Sequence, residues 1–279
     1  MSKINSGVVA IIIPLYKPKM SALETVSITR CFSIMSGHPI IAIKPKKLNL
    51  DNYSFNFKKV VEFPDEYFDS VAGYNRLMLS ASFYEAFVNY KYILIHQLDA
   101  FIFRDDLKYW CDQDYDYIGA PWLRSKEYAN VFKKTKHLTK RWLHTKLNKK
   151  QTATNLPTQI QIDNRVGNGG FSLRKTAVFQ HVCIKNKTMI EQYNNRSEHQ
   201  FNEDVFFGLE ANRKQKQLNI PTFKKAIFFA MENELEYAFR LTDGKIPFGC
   251  HAWDIHRTFW APVIAKSTGI DILSMDQES

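Results

Sequence analysis

Tyr92-Ile-Leu-Ile-His-Gln-Leu-Asp99 changes from apolar to polar along its length. Ile93, Leu94 and Ile95 follow one another without alternation, the pattern of a strand covered on both faces in a parallel sheet. His96, Gln97 and Asp99 then crowd polar chemistry onto one end. In open α/β sheets the ligand site lies beyond the carboxyl ends of the strands. A carboxylate at Asp99 is therefore placed to hold a divalent cation and, through it, a diphosphate. An aspartate that only caps the following turn explains the residue about as well.

Outward from this strand the same logic repeats. Val8-Val-Ala-Ile-Ile-Ile-Pro-Leu-Tyr16 reads as another buried strand, ended by Lys17-Pro18-Lys19. Ser21 to Met35 reads as a helix, with Ser21 as cap, Glu24 three residues on, and Gly37 as the stop. Pro39–Lys44 and Lys58–Phe63 read as strands, and Val71–Tyr90 as one long amphipathic helix. Strand, helix, strand, strand, helix, strand predicts an α/β fold with a mainly parallel central sheet.

Past Asp99 the pattern is less regular. Asp114–Trp122 reads as a short strand entering a tight loop, and Arg124 to about Lys150 as an amphipathic helix. Thr152–Thr158 is polar linker, and Gly167-Asn-Gly-Gly-Phe-Ser-Leu-Arg174 is a glycine-rich turn leading into a strand. Lys175–Met189 reads as helix, Asn202–Gly208 as the opening of another, Thr222–Phe229 as a strand, and Pro247–Trp253 as a loop. The expected organisation is a single domain over 1–279, with 124–158 as a basic helical insert.

Composition narrows the function classes. The 45% hydrophobic and 14% aromatic content excludes a disordered chain. The run Val8–Tyr16 is broken by Pro14 and falls short of the roughly 20 apolar residues of a membrane span. No small-residue cleavage site follows it before Lys17, so cytoplasmic placement is expected. Cys31, Cys111, Cys183 and Cys250 form no C-x-x-C pair and read as buried free thiols. The net charge of +10 is concentrated: residues 124–150 hold ten lysines and arginines against Glu127 alone. A local patch points to one anionic partner or a membrane surface rather than to a protein that coats nucleic acid.

Three further stretches carry candidate chemistry. Gly167-Asn168-Gly169-Gly170 needs backbone that bends sharply or approaches a ligand closely, although a plain hairpin turn explains it too. Glu203-Asp204 beside Val205, Phe206 and Phe207 suggests a carboxylate at a cleft edge, with burial raising its pKa toward general-base work; acids at a helix start are the simpler account. His251, between Gly249 and Trp253, could be a metal ligand, although a lone histidine is more often structural.

Taken in order, Tyr74–Leu79, Tyr92–Phe101, Tyr117–Trp122, Gly167–Arg174, Asn202–Phe207 and Phe248–Trp253 resemble the GT-A glycosyltransferases. They are most similar to a bacterial family known only as a domain of unknown function. The resemblance implies a GT-A-like, Rossmann-like domain and transfer of a sugar from a UDP- or GDP-sugar to a glycan or lipid-linked glycan in cell-envelope polysaccharide synthesis. The Asp-x-Asp metal motif of such folds falls at Gln97-Leu98-Asp99, with Gln97 in place of the first acid. His251 falls where a late metal ligand is supplied, so Asp99 and His251 would hold Mn2+ or Mg2+. Asp204, paired with Glu203, would be the base in an inverting reaction. Pro14, Leu15 and Tyr16 would face the nucleobase, Asn75, Arg76 and Gln97 the donor, and Trp122, Asn168, Gly169, Gly170 and Trp253 the sugar and acceptor.

Gln97 also supports a rival reading, a nucleotide-sugar- or glycan-binding module without turnover. A nucleic-acid-binding protein is the weaker rival, because no recognised nucleic-acid motif accompanies the basic stretch. For that stretch two readings stand level. One is a solvated surface helix; the other is peripheral attachment to anionic lipid at the inner face of the plasma membrane.

Overall fold

The structure is a computed structural model and describes residues 7–124 and 127–275. Ser125 and Lys126 of the basic stretch, and both ends of the expected 1–279 domain, lie outside the described residues. The first half of the chain runs β1 (Gly7–Pro14), α1 (Ala22–Ile34), β2 (Ile40–Pro45), β3 (Lys59–Phe63), α2 (Val71–Met78), α3 (Ala81–Glu85) and β4 (Tyr90–His96). β5 (Phe101–Ile102), α4 (Leu107–Asp112), β6 (Tyr117–Gly119), β7 (Pro121–Trp122), α5 (Val131–Lys146), β8 (Arg165–Val166) and β9 (Phe171–Lys175) follow. The last part comprises α6 (Thr176–Lys185), α7 (Lys187–Asn194), α8 (Glu203–Gly208), α9 (Phe223–Ala226), β10 (Ala230–Met231), α10 (Leu235–Leu241), β11 (Gly249–Cys250) and α11 (Arg257–Thr268).

A six-stranded sheet in the order β3-β2-β1-β4-β9-β6 forms the centre of this α/β fold. β3, β2, β1 and β4 are parallel, but β9 runs antiparallel to both β4 and β6. The sheet is therefore mixed, and the expectation of a mainly parallel one is corrected. The cause is local. Gly167–Gly170 returns the chain at the carboxyl end of β4, where Gln97 N–H donates to Gly170 O (2.8 Å) and His96 pairs with Phe171. A strand that begins beside the end of its neighbour must run back along it.

Successive residues of β1 point to opposite faces. Ile11 and Ile13 pack with Ile28 and Cys31 of α1, while Ala10 and Ile12 pack with Leu77, Phe83 and Phe207 on the other side. Both faces are thus apolar, which accounts for the unbroken Ile runs. A separate core holds Trp253 and Trp260 against Phe101 and Phe103. All four cysteines are free and buried. Among the described residues, no helix is long and apolar enough to cross a membrane.

Caps set several boundaries. Ser21 and Glu24 form the expected capping box of α1. The helix expected over Val71–Tyr90 is instead two, because Ser80 Oγ donates to Leu77 O and accepts the Phe83 N–H, closing α2 and opening α3. Lys175–Met189 also divides, at Asn186, whose side chain donates to Val182 O (2.7 Å). The strand expected over Thr222–Phe229 is the short helix α9, followed by β10. An apolar run of this length does not by itself distinguish strand from helix.

Candidate active site

The carboxyl ends of β1 and β4, the turn before β9, the start of α8 and the residues after β10 and β11 meet around a cleft of about 970 Å³. Tyr16 stands at its rim, half exposed, and a smaller pocket of about 470 Å³ opens beyond it toward Pro45, Asn49 and Asn52.

His251 is the hub. Its Nδ1 lies 2.9 Å from Glu232 Oε1 and 2.9 Å from Asn168 Nδ2. Its Nε2 lies 3.2 Å from both Asp99 Oδ1 and Gln97 Oε1. Burial works against a charged ring, but Asp99 and Glu232 outweigh it and raise the His251 pKa to about 10. The imidazole is therefore held as a cation between two carboxylates. Asp99 is lowered in turn: burial pushes it up, and His251 more than compensates.

The turn at 167–170 is shaped by close approach. Asn168 has φ 72, a left-handed conformation that asparagine tolerates, and its Oδ1 accepts the Phe171 N–H (3.0 Å). A Cβ at Gly169 would overlap Glu203 Oε1, and one at Gly170 would overlap His251 Nε2. Both glycines are required because carboxylate and imidazole lie against bare backbone.

Glu203 and Asp204 diverge in role. Glu203 is buried and paired with Arg174, Nη2 to Oε1 at 2.9 Å. Arg174, itself fully buried, also donates to Tyr84 Oη, Ser172 Oγ and Gly169 O. Glu203 thereby ties α8 to the glycine turn. Asp204 has no cationic partner among the described residues; its Oδ1 accepts the Val205 N–H (2.8 Å). Burial, then the negative charges of Glu203 and Glu232, raise its pKa to about 7. A carboxylate poised there can accept a proton near neutral pH.

Of the residues expected at the site, Pro14, Tyr16, Asn75, Gln97, Asp99, Asn168, Gly169, Gly170, Glu203, Asp204, His251 and Trp253 line the cleft. Leu15 is buried in the core behind it. Arg76 lies in the last turn of α2, and the cleft takes its neighbour instead: Asn75 donates to Asn202 Oδ1 (2.9 Å) and accepts the Glu203 N–H (3.1 Å), helping to cap α8. Trp122 is not brought to the cleft either, because its ring covers Gly167 from the far side of the turn. Trp253 has no exposed surface and packs edge-on to Phe101 (5.8 Å), so it offers no free face for stacking.

Sequence reasoning missed Glu232, Asp254 and Arg174. Glu232 directly follows β10, and an acid at a strand's carboxyl end was the available signal, hidden by the misread strand at Thr222–Phe229. Arg174 offered no signal, since an arginine after an apolar strand normally reads as exposed.

The cleft is acidic. Glu24, Asp69, Asp99, Glu203, Asp204, Glu232 and Asp254 line it, and Lys17 is the one lysine or arginine among the described lining residues. Lys17 is itself paired with Glu24 (2.9 Å). Among the described residues, no group of three or more His, Cys, Asp or Glu side chains is arranged as a metal cage. Asp99 Oδ1 and Gln97 Oε1 nevertheless present two oxygens on one face; His251 Nε2 joins them as a ligand only on giving up its ring proton, with Glu232 then supporting the far ring nitrogen as a carboxylate commonly does for a ligating histidine. That set fits Mg2+ or Mn2+ shared with a phosphate and waters, which needs only one or two protein ligands.

Fold and site thus define an α/β protein with an acidic, carboxyl-end cleft. The profile of the family described as a protein of unknown function (DUF5672) matches residues 57–251, more than half of the chain, and the chain belongs to that family. Comparison with curated proteins returns no match.

Proposed function

We propose that the chain is a GT-A-type glycosyltransferase that moves a sugar from a nucleoside-diphosphate sugar to a glycan or lipid-linked glycan acceptor. The observation that carries the reading is the meeting of Asp99, His251, the Asn168–Gly170 turn and Asp204 in one cleft at the sheet's carboxyl ends. In this reading Pro14 and Tyr16 border the nucleobase, and Gln97, Asp99 and His251 face the diphosphate. Asn168, Gly169 and Gly170 border the sugar. Asp204 accepts the acceptor hydroxyl's proton as that oxygen bonds to the anomeric carbon and the bond to the diphosphate breaks, with inversion. A divalent cation held by Asp99 and His251 would neutralise the departing diphosphate. The acidity of the cleft supports that requirement, because its two cationic groups, Lys17 and His251, are already paired with Glu24 and with Asp99 and Glu232.

The test is calorimetric titration of UDP and GDP, each with and without Mn2+, on wild type and Asp99→Ala. Binding of one nucleotide that needs Mn2+ and is lost in the variant is the expected result. No binding of either nucleotide under any condition sinks the reading. Gln97 in place of an acid favours one rival, a binding module without turnover; it expects nucleotide binding but no hydrolysis or transfer, and indifference to loss of Asp204.

A further inference from the structure

α5 is mounted with its polar side inward. A surface helix ordinarily turns its apolar stripe to the core and its charges to water. Here the side facing the protein is polar. His137 Nε2 lies 3.1 Å from Asp163 Oδ2, Arg141 donates to Asp163 O (2.7 Å), and His144 Nδ1 lies 2.8 Å from Thr158 Oγ1. Thr145, the one buried residue of the helix, accepts from Arg213 through its carbonyl. The opposite side carries Phe132, Trp142 and Leu143, exposed at 78%, 58% and 42%, and Leu147 just beyond the last turn at 74%. With about 3.6 residues per turn, these fall on one half of the circumference, with Lys136 and Lys146 between them. The helix holds six lysines and arginines and no acid.

We infer that this face is a docking surface for an anionic lipid bilayer, lying in the membrane plane. Aromatic and leucine side chains interleaved with lysines, whose apolar stems can lie along the same surface while their ammonium groups reach the headgroups, suit a helix at the acyl boundary. Charge complementarity selects this occupant. A second copy of the same face would meet its own positive charge. A nucleic acid would satisfy the lysines and could stack on Trp142, but it offers nothing to Leu143 or Leu147. The surface is tied to the cleft's own scaffold: Arg213, which holds Thr145, also donates to Gln161 Oε1 and Glu210 Oε2, and Glu210 closely follows α8. A membrane on α5 therefore favours an acceptor carried by lipid. That consequence rests on the proposed transferase activity, whereas the docking itself does not.

The test is flotation of the full chain with vesicles of phosphatidylcholine alone and of phosphatidylcholine with phosphatidylglycerol (about 3:1), alongside titration with a single-stranded oligonucleotide. Binding to the anionic vesicles only is expected. Each lysine removed weakens it about five-fold (about 1 kcal/mol), so Lys136→Ala, Lys140→Ala and Lys146→Ala together weaken it about a hundred-fold. Brominated lipid should quench tryptophan emission in wild type and much less in Trp142→Phe. Equal binding to neutral vesicles, no binding to either, an unchanged triple variant or no Trp142 quenching each overturns the inference. Oligonucleotide binding tighter than vesicle binding overturns it in favour of nucleic acid. Nucleotide binding by the triple variant reads the cleft separately, so failure of the donor reading and failure of the docking are distinguishable.

Discussion

The cleft gathers seven carboxylates around one ion-paired lysine, whereas α5 carries six lysines and arginines and no acid. The net charge of +10 describes neither region. It hides an acidic site in a basic protein, and the partners proposed for the two regions would be held differently. The basic face would attract an anion directly, through exposed ammonium groups whose effect salt screens. In the proposed function the acidic cleft takes its anion through an intervening cation, with side chains locked by burial and hydrogen bonds. Packing follows the same division. Arg174 and Glu203 are fixed in the interior, while the lysines of α5 touch little.

The strongest test of the cleft side is Asp204→Asn. Transfer, measured as nucleotide release dependent on acceptor, is expected to fall about 100- to 10,000-fold, the range for loss of a general base. Nucleotide binding should stay near wild type. Unchanged turnover would falsify the assignment of Asp204 as base.

The contrast in packing gives the next largest effect. Arg174→Met leaves Glu203 buried without its partner, and breaking a buried pair from one side typically costs about 3–5 kcal/mol. Lys140→Ala, on the exposed face, should change stability by less than about 0.5 kcal/mol. Denaturant unfolding of the two variants measures both. Equal losses would mean that the two regions do not differ in rigidity as the burial indicates.

A smaller effect is expected at Glu232, which touches the proposed metal set only through His251. Glu232→Gln should weaken Mn2+ binding about 10- to 100-fold, as loss of such a supporting carboxylate does, without the full loss expected of Asp99→Ala. Calorimetry with Mn2+ and nucleotide together checks it. An unchanged Mn2+ affinity would assign Glu232 to holding His251 in the fold alone.

The two regions were also unequally legible. α5 was visible because it is local: its charge, apolar residues and helical spacing lie in one stretch, and only its orientation needed the structure. β1, β2, β3 and β4 were legible for the same reason, through continuous apolar runs. The cleft joins residues far apart in sequence, such as Asp99 with His251 and Asn75 with Glu203, and spacing cannot show such contacts. Motif order supplied Asp99, Asp204, His251 and the glycine turn. It did not supply Glu232, which sits after a two-residue strand too short to announce itself, nor the reversal of β9, which depends on where the glycine turn meets β4. Trp122 and Arg76 were expected at the site because aromatic and cationic residues suit a sugar-phosphate site by type; the fold turns one onto Gly167, and neither lines the cleft.

Protons separate the regions last and most gently. Asp204 must be ionised to accept a proton, and its pKa is raised from an ordinary carboxylate value to about 7. At saturating Mn2+, turnover should therefore rise with pH up to about 7 and level above it, an increase of about ten-fold between pH 6 and 8. The same shift has a stability consequence of opposite sign. Because the folded pKa is the higher one, the folded protein keeps this proton between roughly pH 4 and 7 while the unfolded chain loses it. Stability owed to this group accordingly declines as pH rises through that window, and Asp204→Asn lacks the decline. Vesicle binding through α5, which involves no residue of the cleft, should not follow this profile between pH 6 and 8. A rate that ignores pH, or a docking that follows it, would show that the groups controlling the two regions have been exchanged.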